Sequence, residues 1–185
     1  PNHLNYHHSM EEYIDAKRNI YRYMNGGRLV LNERNEISRG MKYDAPDGTE
    51  VIYFAGDSGV YMRDGKIIVS ASSGGNGGRS DDAVLDAGDI LLPGRHNKEN
   101  YMAAIDAVWG RVTTAQIVRF ARAFDGVEHR CELVRERRGV RWYNDSIGSS
   151  PSRTIAGLRT FRQRVILIAG GYDKHIPYAP LGPVA

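Results

Sequence analysis

Asn144-Asp145-Ser146 and Ser149-Ser150-Pro151-Ser152 put an amide, a carboxylate and several hydroxyls into one short stretch. The serines supply N-cap hydroxyls and Pro151 is of the N1 type, so a helix should begin there. A helix start with unpaired N–H groups suits a phosphate or carboxylate, and the same residues read equally as a well-capped strand-to-helix turn. His3, His7 and His8 could be taken as a metal cluster, but no cysteine accompanies them and no H-E-x-x-H occurs, so exposed loop histidines are the competing reading. Residues 71–82 (ASSGGNGGRSDD) tempt as a phosphate cradle, yet they lack a Gly-Lys-Ser/Thr ending and follow an apparent hairpin; they read as a flexible surface loop. The single cysteine, Cys131, has no partner for a disulfide or a Cys-based metal site and reads as a small packing residue.

These groups need elements to position them. Residues 132–138 and 140–144 alternate apolar and polar around Arg138-Gly139, the pattern of a hairpin. Ser9 followed by Glu12 is a capping-box pattern for a helix whose apolar face would be Tyr13, Ala16, Ile20 and Tyr21. Residues 28–32 (RLVLN) and 51–55 (VIYFA) read as strands, and 60–62 with 66–69 as a hairpin around Arg63-Asp64-Gly65. Helices are expected after the Pro-Gly of LLPG, up to Trp109, and over 113–124. Residues 165–169 (VILIA) form the apolar run of a parallel strand covered on both faces. Strands alternating with helices, with an antiparallel hairpin at one edge, imply an α/β layer.

At 185 residues the chain has room for one domain or two small ones, and its 41% hydrophobic and 25% charged residues suit a folded protein. No apolar run approaches the roughly 18 residues of a membrane span, and no signal-peptide pattern opens the chain, so a cytosolic protein is expected. The net charge of +3 is modest, with a local excess at Arg135, Arg137, Arg138 and Arg141. One basic hairpin without a nucleic-acid motif argues weakly for RNA, and anionic substrates such as nucleotides explain the charge as well.

A GVEHR segment, then a hairpin, then N-D-S-x-x-S-x-x-[ST], a helix and a hydrophobic strand ending in GGYDK resembles the junction of the central and C-terminal domains in the Mur ligases. The segments NHLNYH and G-x-H-N-x-x-N resemble two further motifs of that family. The resemblance implies a partial central domain, a mixed sheet with helices, over residues 1–125. Over 126–185 it implies the start of a Rossmann-like C-terminal domain that binds the acceptor amino acid.

The resemblance also implies an ATP-dependent amide-bond ligase of peptidoglycan synthesis, using magnesium and acting as a monomer at full length. Residues 140–183 are most similar to family members that add D-glutamate to UDP-N-acetylmuramoyl-L-alanine. It places His3 and Lys17 on the metal, Lys17 as a carbamate, which is an anionic oxygen ligand that a hard cation prefers. Burial would favour the neutral amine that carbamoylation needs; without the family, Lys17 is a solvated helix lysine. The family's aspartate two residues after the histidine is Asn5 here.

Asn100 is implied at the adenine, where an amide supplies both donor and acceptor, while Asn97 could serve as a helix cap. His129, Arg130 and Asp145 are implied on the nucleotide side, and Ser149 and Lys174 at the acceptor. Ile147 stands where the family often has a lysine. The family's G-x-G-K-[ST]-[ST] loop is absent from these residues, so it is expected upstream, as is the UDP-binding domain. The expectation is therefore a ligase fragment without turnover of its own. The alternative is a non-catalytic nucleotide-binding module on the same scaffold.

Overall fold

The computed structural model describes residues 7–71, 81–172 and 176–184. In chain order the elements are α1 (Met10–Arg18), β1 (Arg28–Asn32), α2 (Glu36–Gly40), β2 (Glu50–Phe54), β3 (Val60–Arg63), β4 (Lys66–Val69), β5 (Asp82–Asp86), α3 (Arg95–Val108), α4 (Thr114–Ala121), β6 (Glu132–Arg137), β7 (Val140–Asn144) and α5 (Pro151–Leu158). Short 3-10 turns occupy Met41–Asp44 and Ala179–Leu181.

β1 to β5 form one mixed sheet in sequence order. β1 and β2 are parallel and in register from Arg28–Glu50 to Asn32–Phe54, whereas β2 meets β3 only at Phe54–Val60. β3, β4 and β5 are antiparallel. The β3–β4 turn has positive φ at both Asp64 and Gly65, and Arg138-Gly139 repeats the pattern between β6 and β7. That geometry matches the twist of a two-residue hairpin.

α3 lies across β1, β2 and β3, and α4 packs on β5. The core is Val60, Ile67, Val69, Val84 and Leu85 from the strands against Tyr101, Met102, Ile105, Ile117 and Ala121 from the two helices. Fully burying each large aliphatic side chain stabilises by about 1.5–3 kcal/mol, so this layer fixes where α3 begins. A smaller cluster of Tyr21, Leu29 and Leu31 covers the β1 edge. The Arg28 guanidinium donates to the carbonyls of Asp106 (2.8 Å) and Trp109 (3.2 Å), satisfying acceptors at the end of α3. α4 starts with a complete capping box, in which Thr113 Oγ1 accepts the Gln116 N–H and Gln116 Oε1 accepts the Thr113 N–H.

Several expectations need correction. Ser9 does cap α1, but the carboxylate of Glu12 accepts the N–H of His8 instead of closing a box on Ser9. α1 stops at Arg18, and Ile20, expected on its apolar face, is 74% exposed. α2 and β5 had no clear pattern in the sequence. The glycine-rich segment lies outside the described residues from 72 to 80, and its last residue, Asp82, begins β5. Residues 165–169 form no strand: Ile166 is 93% exposed and Ile168 83%. A parallel strand needs hydrogen-bonding neighbours and cover on both faces, and among the described residues this run has neither.

Candidate functional site

The candidate site is the double turn that joins α4, the β6–β7 hairpin and α5. Past α4 the chain turns so that Arg130 N–H donates to Val127 O (3.2 Å), with His129 and Cys131 both at positive φ. Two left-handed non-glycine residues this close together persist only where surrounding bonds hold them. Here those bonds come from the far end of the hairpin. The Asp145 carboxylate accepts the Cys131 N–H through Oδ1 (3.0 Å), Glu132 Oε2 accepts the His129 N–H (2.8 Å), and Ile147 N–H donates to His129 O (3.3 Å).

The turn after β7 is equally constrained. Asn144 Oδ1 accepts the Ser146 N–H (3.1 Å), and Gly148 N–H donates to Asp145 O (2.8 Å). A Cβ on Gly148 would lie 2.5 Å from Asp145 Oδ2 and 2.9 Å from Asp145 O, so only glycine fits against that carboxylate. The hairpin thus brings Asp145 back to Cys131 across 14 residues of chain, and sets its carboxylate between the two turns.

Ser150 is the buried N-cap residue of α5, and Pro151 occupies its first turn. The hydroxyl of Ser150 makes no capping bond; it lies 3.3 Å from Ser152 Oγ. The expected capping role therefore holds for the backbone position and not for the side chain. Thr154 Oγ1 reaches back to the carbonyls of Gly148 and Ser150, tying the loop to the helix. Ser149 is exposed beside this start.

Cys131 is half-buried, and burial, with the Asp145 carboxylate adding to it, pushes its thiol up. This opposes thiolate formation, in keeping with a packing role.

α3 begins against the other end of α5: a Cβ on Gly94 would fall 2.7 Å from Thr160 Cγ2. Asn97 sits in the first turn, where Nδ2 donates back to Pro93 O at 2.6 Å, while Gly94 is the N-cap residue. Asn100 is exposed, and its described hydrogen bond goes to Asn97 Oδ1 (3.5 Å).

The structure therefore gathers His129, Arg130, Asp145 and Ser149 around one junction, with Asn100 on the neighbouring helix. Lys17 stands apart on α1, exposed, with Nζ 5.6 Å from the Tyr13 ring centroid, so the burial expected for it is not found. α1 buries none of its residues, which leaves its lysine in solvent. His3 and Lys174 lie outside the described residues, and among the described residues no group of three or more His, Cys, Asp or Glu side chains could hold a metal ion. Neither does any helix reach the length and apolarity needed to cross a membrane among those residues.

Sequence reasoning missed the partnership of Asn144 with His129 and the buried carboxyl of Asp106. Asn144 Nδ2 lies 2.8 Å from His129 Nδ1. The Asn-x-Ser signature of a side-chain turn was visible at 144–146, but nothing in the spacing told which nitrogen it would face. Asp106 stands amid apolar neighbours on α3 with no exposure; its Oδ2 accepts the Val60 N–H (3.3 Å) and its Oδ1 has no hydrogen-bond partner. Burial, opposed by the Val60 hydrogen bond and the Arg28 charge, pushes its carboxyl up to about 7. A polar residue at a helical core position is the signal that could have found it.

Residues 1–108 match the Mur ligase middle domain. Over its whole length the chain is 49% identical to the UDP-N-acetylmuramoylalanine–D-glutamate ligase of Acetivibrio thermocellus and 48% identical to that of Ruminiclostridium cellulolyticum. It spans 39% of the length of each. Among solved structures, MurF from Acinetobacter baumannii superposes with a TM-score of 0.67 at 16% identity, over 88% of this chain and 35% of that one. A UDP-N-acetylmuramoyl-L-alanyl-D-glutamate–2,6-diaminopimelate ligase gives 0.58 at 19% identity, over 86% and 33%. Likeness at that identity speaks to the fold, a mixed α/β layer.

Proposed function

Since this chain belongs to the Mur ligase family, we propose that it is part of the ATP-dependent ligase that adds D-glutamate to UDP-N-acetylmuramoyl-L-alanine. The observation that carries this reading is the 48–49% identity sustained along the whole chain with ligases of that name. ATP would supply the phosphoryl group that turns the substrate carboxylate into an acyl phosphate, which the D-glutamate amine then attacks with loss of phosphate. We further propose residues 1–125 as part of the ATP-binding central domain and 126–185 as the start of the acceptor-binding domain, whose first turns also contribute nucleotide contacts, in a cytoplasmic protein.

The residues at the junction fit a nucleotide. Asp145 uses Oδ1 for the Cys131 N–H, which fixes the plane of the carboxylate and leaves Oδ2 to accept a ribose hydroxyl. His129 and Arg130, both exposed, would donate to ribose or phosphate oxygens, charge-assisted in the case of Arg130. Asn100 would pair with the adenine edge, and its exposed position on α3 leaves it accessible. Ser149, with Lys174, would hold the carboxylate of D-glutamate. Gathering His129, Arg130, Asp145 and Ser149 at one junction lowers the entropic cost of aligning acceptor and donor.

The donors proposed for magnesium are His3 and a carbamoylated Lys17; His3 lies outside the described residues and Lys17 is exposed on α1. The chemistry assigned to this chain's residues accordingly stops at the nucleotide and the acceptor.

Titration with ADP tests the reading. The chain should bind ADP, and Asp145→Asn should weaken binding by about tenfold, as expected for one hydrogen bond to a ribose oxygen. No binding to the wild-type chain, or equal binding by the variant, would refute the assignment. Because the 185 residues contain no phosphate loop, the chain by itself should release no phosphate when given ATP and both substrates. Phosphate release dependent on both would overturn that expectation.

A further inference from the structure

We infer that Asn144 is a positioning residue that holds His129 as the neutral Nε2–H tautomer, so that the ring meets the nucleotide as a hydrogen-bond donor. The inference rests on the nucleotide-side reading of His129 given above.

The argument turns on which way the Asn144 amide faces. Amide orientation follows from hydrogen-bond partners, and here one partner is unambiguous. The Ser146 backbone N–H can only donate, and it meets Asn144 at 3.1 Å. The atom it meets must be the oxygen, Oδ1. The other end of the amide, 2.8 Å from His129 Nδ1, is therefore the NH₂ group, which can only donate. A donor at that distance requires Nδ1 to be an acceptor, so Nδ1 carries no proton. A neutral imidazole with a bare Nδ1 has its proton on Nε2.

The backbone around the ring holds this arrangement in place. Glu132 Oε2 takes the His129 N–H at 2.8 Å and stands 3.9 Å from Nδ1, beyond hydrogen-bond reach of the ring. The Ile147 N–H donates to the His129 carbonyl. Ring, backbone N–H and backbone carbonyl of His129 are thus each tied to residues on or just beyond β6 and β7. His129 is 59% exposed in its side chain, which leaves the ring accessible to a ligand. A ring locked as an Nε2–H donor suits a ribose or phosphate oxygen and is a poor partner for a hydrogen-bond donor.

The test is a long-range ¹H–¹⁵N spectrum of the ring nitrogens in the labelled 185-residue chain, at a pH where the ring is neutral, with His129 identified by its loss in His129→Gln. The wild type should show a protonated Nε2 and a bare Nδ1. Asn144→Asp keeps an oxygen for the Ser146 N–H but turns an oxygen toward the ring, so the proton should move onto Nδ1. Asn144→Ala should show both tautomers and bind ADP roughly threefold to tenfold more weakly, the scale of one hydrogen bond. An unchanged backbone amide spectrum outside the double turn confirms that each variant is folded.

A wild-type ring with the proton on Nδ1, a mixture of tautomers in the wild type, or a spectrum unmoved by Asn144→Asp would overturn the inference. The failure of the nucleotide reading looks different: the tautomer is as assigned and responds to Asn144→Asp, but ADP leaves the His129 ring signals in place.

Discussion

Replacing Asp106 with asparagine should remove a specific pH dependence from the stability of the fold. Asp106 is wholly buried between α3 and the start of β3, with Oδ2 on the Val60 N–H and Oδ1 without a partner. Its carboxyl is pushed up to about 7 by burial, against about 3.9 for an unfolded aspartate. With the folded value raised, the native state holds a proton that the unfolded state has lost. The associated stabilisation is fully present below about pH 4 and disappears as pH rises through about 7. One proton over that interval amounts to a loss on the order of 2–3 kcal/mol between pH 5 and pH 8.

Asparagine is neutral throughout and can keep an oxygen on the Val60 N–H. Urea unfolding of both proteins at pH 5, 6, 7 and 8 gives a difference in which the other titrating groups largely cancel. That difference should shift in favour of Asp106→Asn by about 2–3 kcal/mol across the range. A difference that stays level would refute the reasoning, and would mean that the carboxyl is solvated or paired well enough to ionise normally.

Two further substitutions test separate parts of the structure. Gly148→Ala should drive a methyl into the Asp145 carboxylate, displace the double turn and weaken ADP binding at least tenfold, comparable to losing the Asp145 contact. Circular dichroism should show the helices of the α/β layer intact; wild-type affinity in Gly148→Ala would show that the turn adapts. Tyr101 has a buried hydroxyl without a hydrogen-bond partner and packs 6.1 Å from Phe120 between ring centroids. Tyr101→Phe should therefore raise stability by about 1 kcal/mol, since it removes an unsatisfied polar group and keeps the ring. A loss of stability in chemical denaturation would show that the hydroxyl is satisfied.

What the sequence disclosed depended on how local the determining physics was. Both hairpins were legible because two-residue turns with Asp-Gly or Arg-Gly, flanked by alternating residues, carry their own register. α3 and α4 were legible through apolar periodicity. β5 was not, because Asp82–Asp86 buries only Val84 and Leu85 and is a strand by virtue of pairing with β4. Conversely, 165–169 is an almost uninterrupted apolar run and is unpaired among the described residues, since composition cannot provide a neighbour.

The site divides in the same way. The family resemblance put His129, Arg130 and Asp145 on the nucleotide side and Ser149 at the acceptor, and the hairpin explains why residues 14 and 15 apart meet: β6 and β7 run out and back, returning Asn144 and Asp145 beside the turn that precedes β6. The chemistry of each group was less legible. The Asp145 carboxylate already accepts a backbone N–H, and Asn144, read as part of a strand-to-helix turn, has its amide divided between Ser146 and the imidazole. Residue types show which atoms can donate or accept, but protonation and orientation follow from what the folded backbone presents to them. At this junction the backbone N–H groups of Cys131 and Ser146 make that choice, and a substitution that moves either turn should change the nucleotide contacts without altering any residue that touches the ligand.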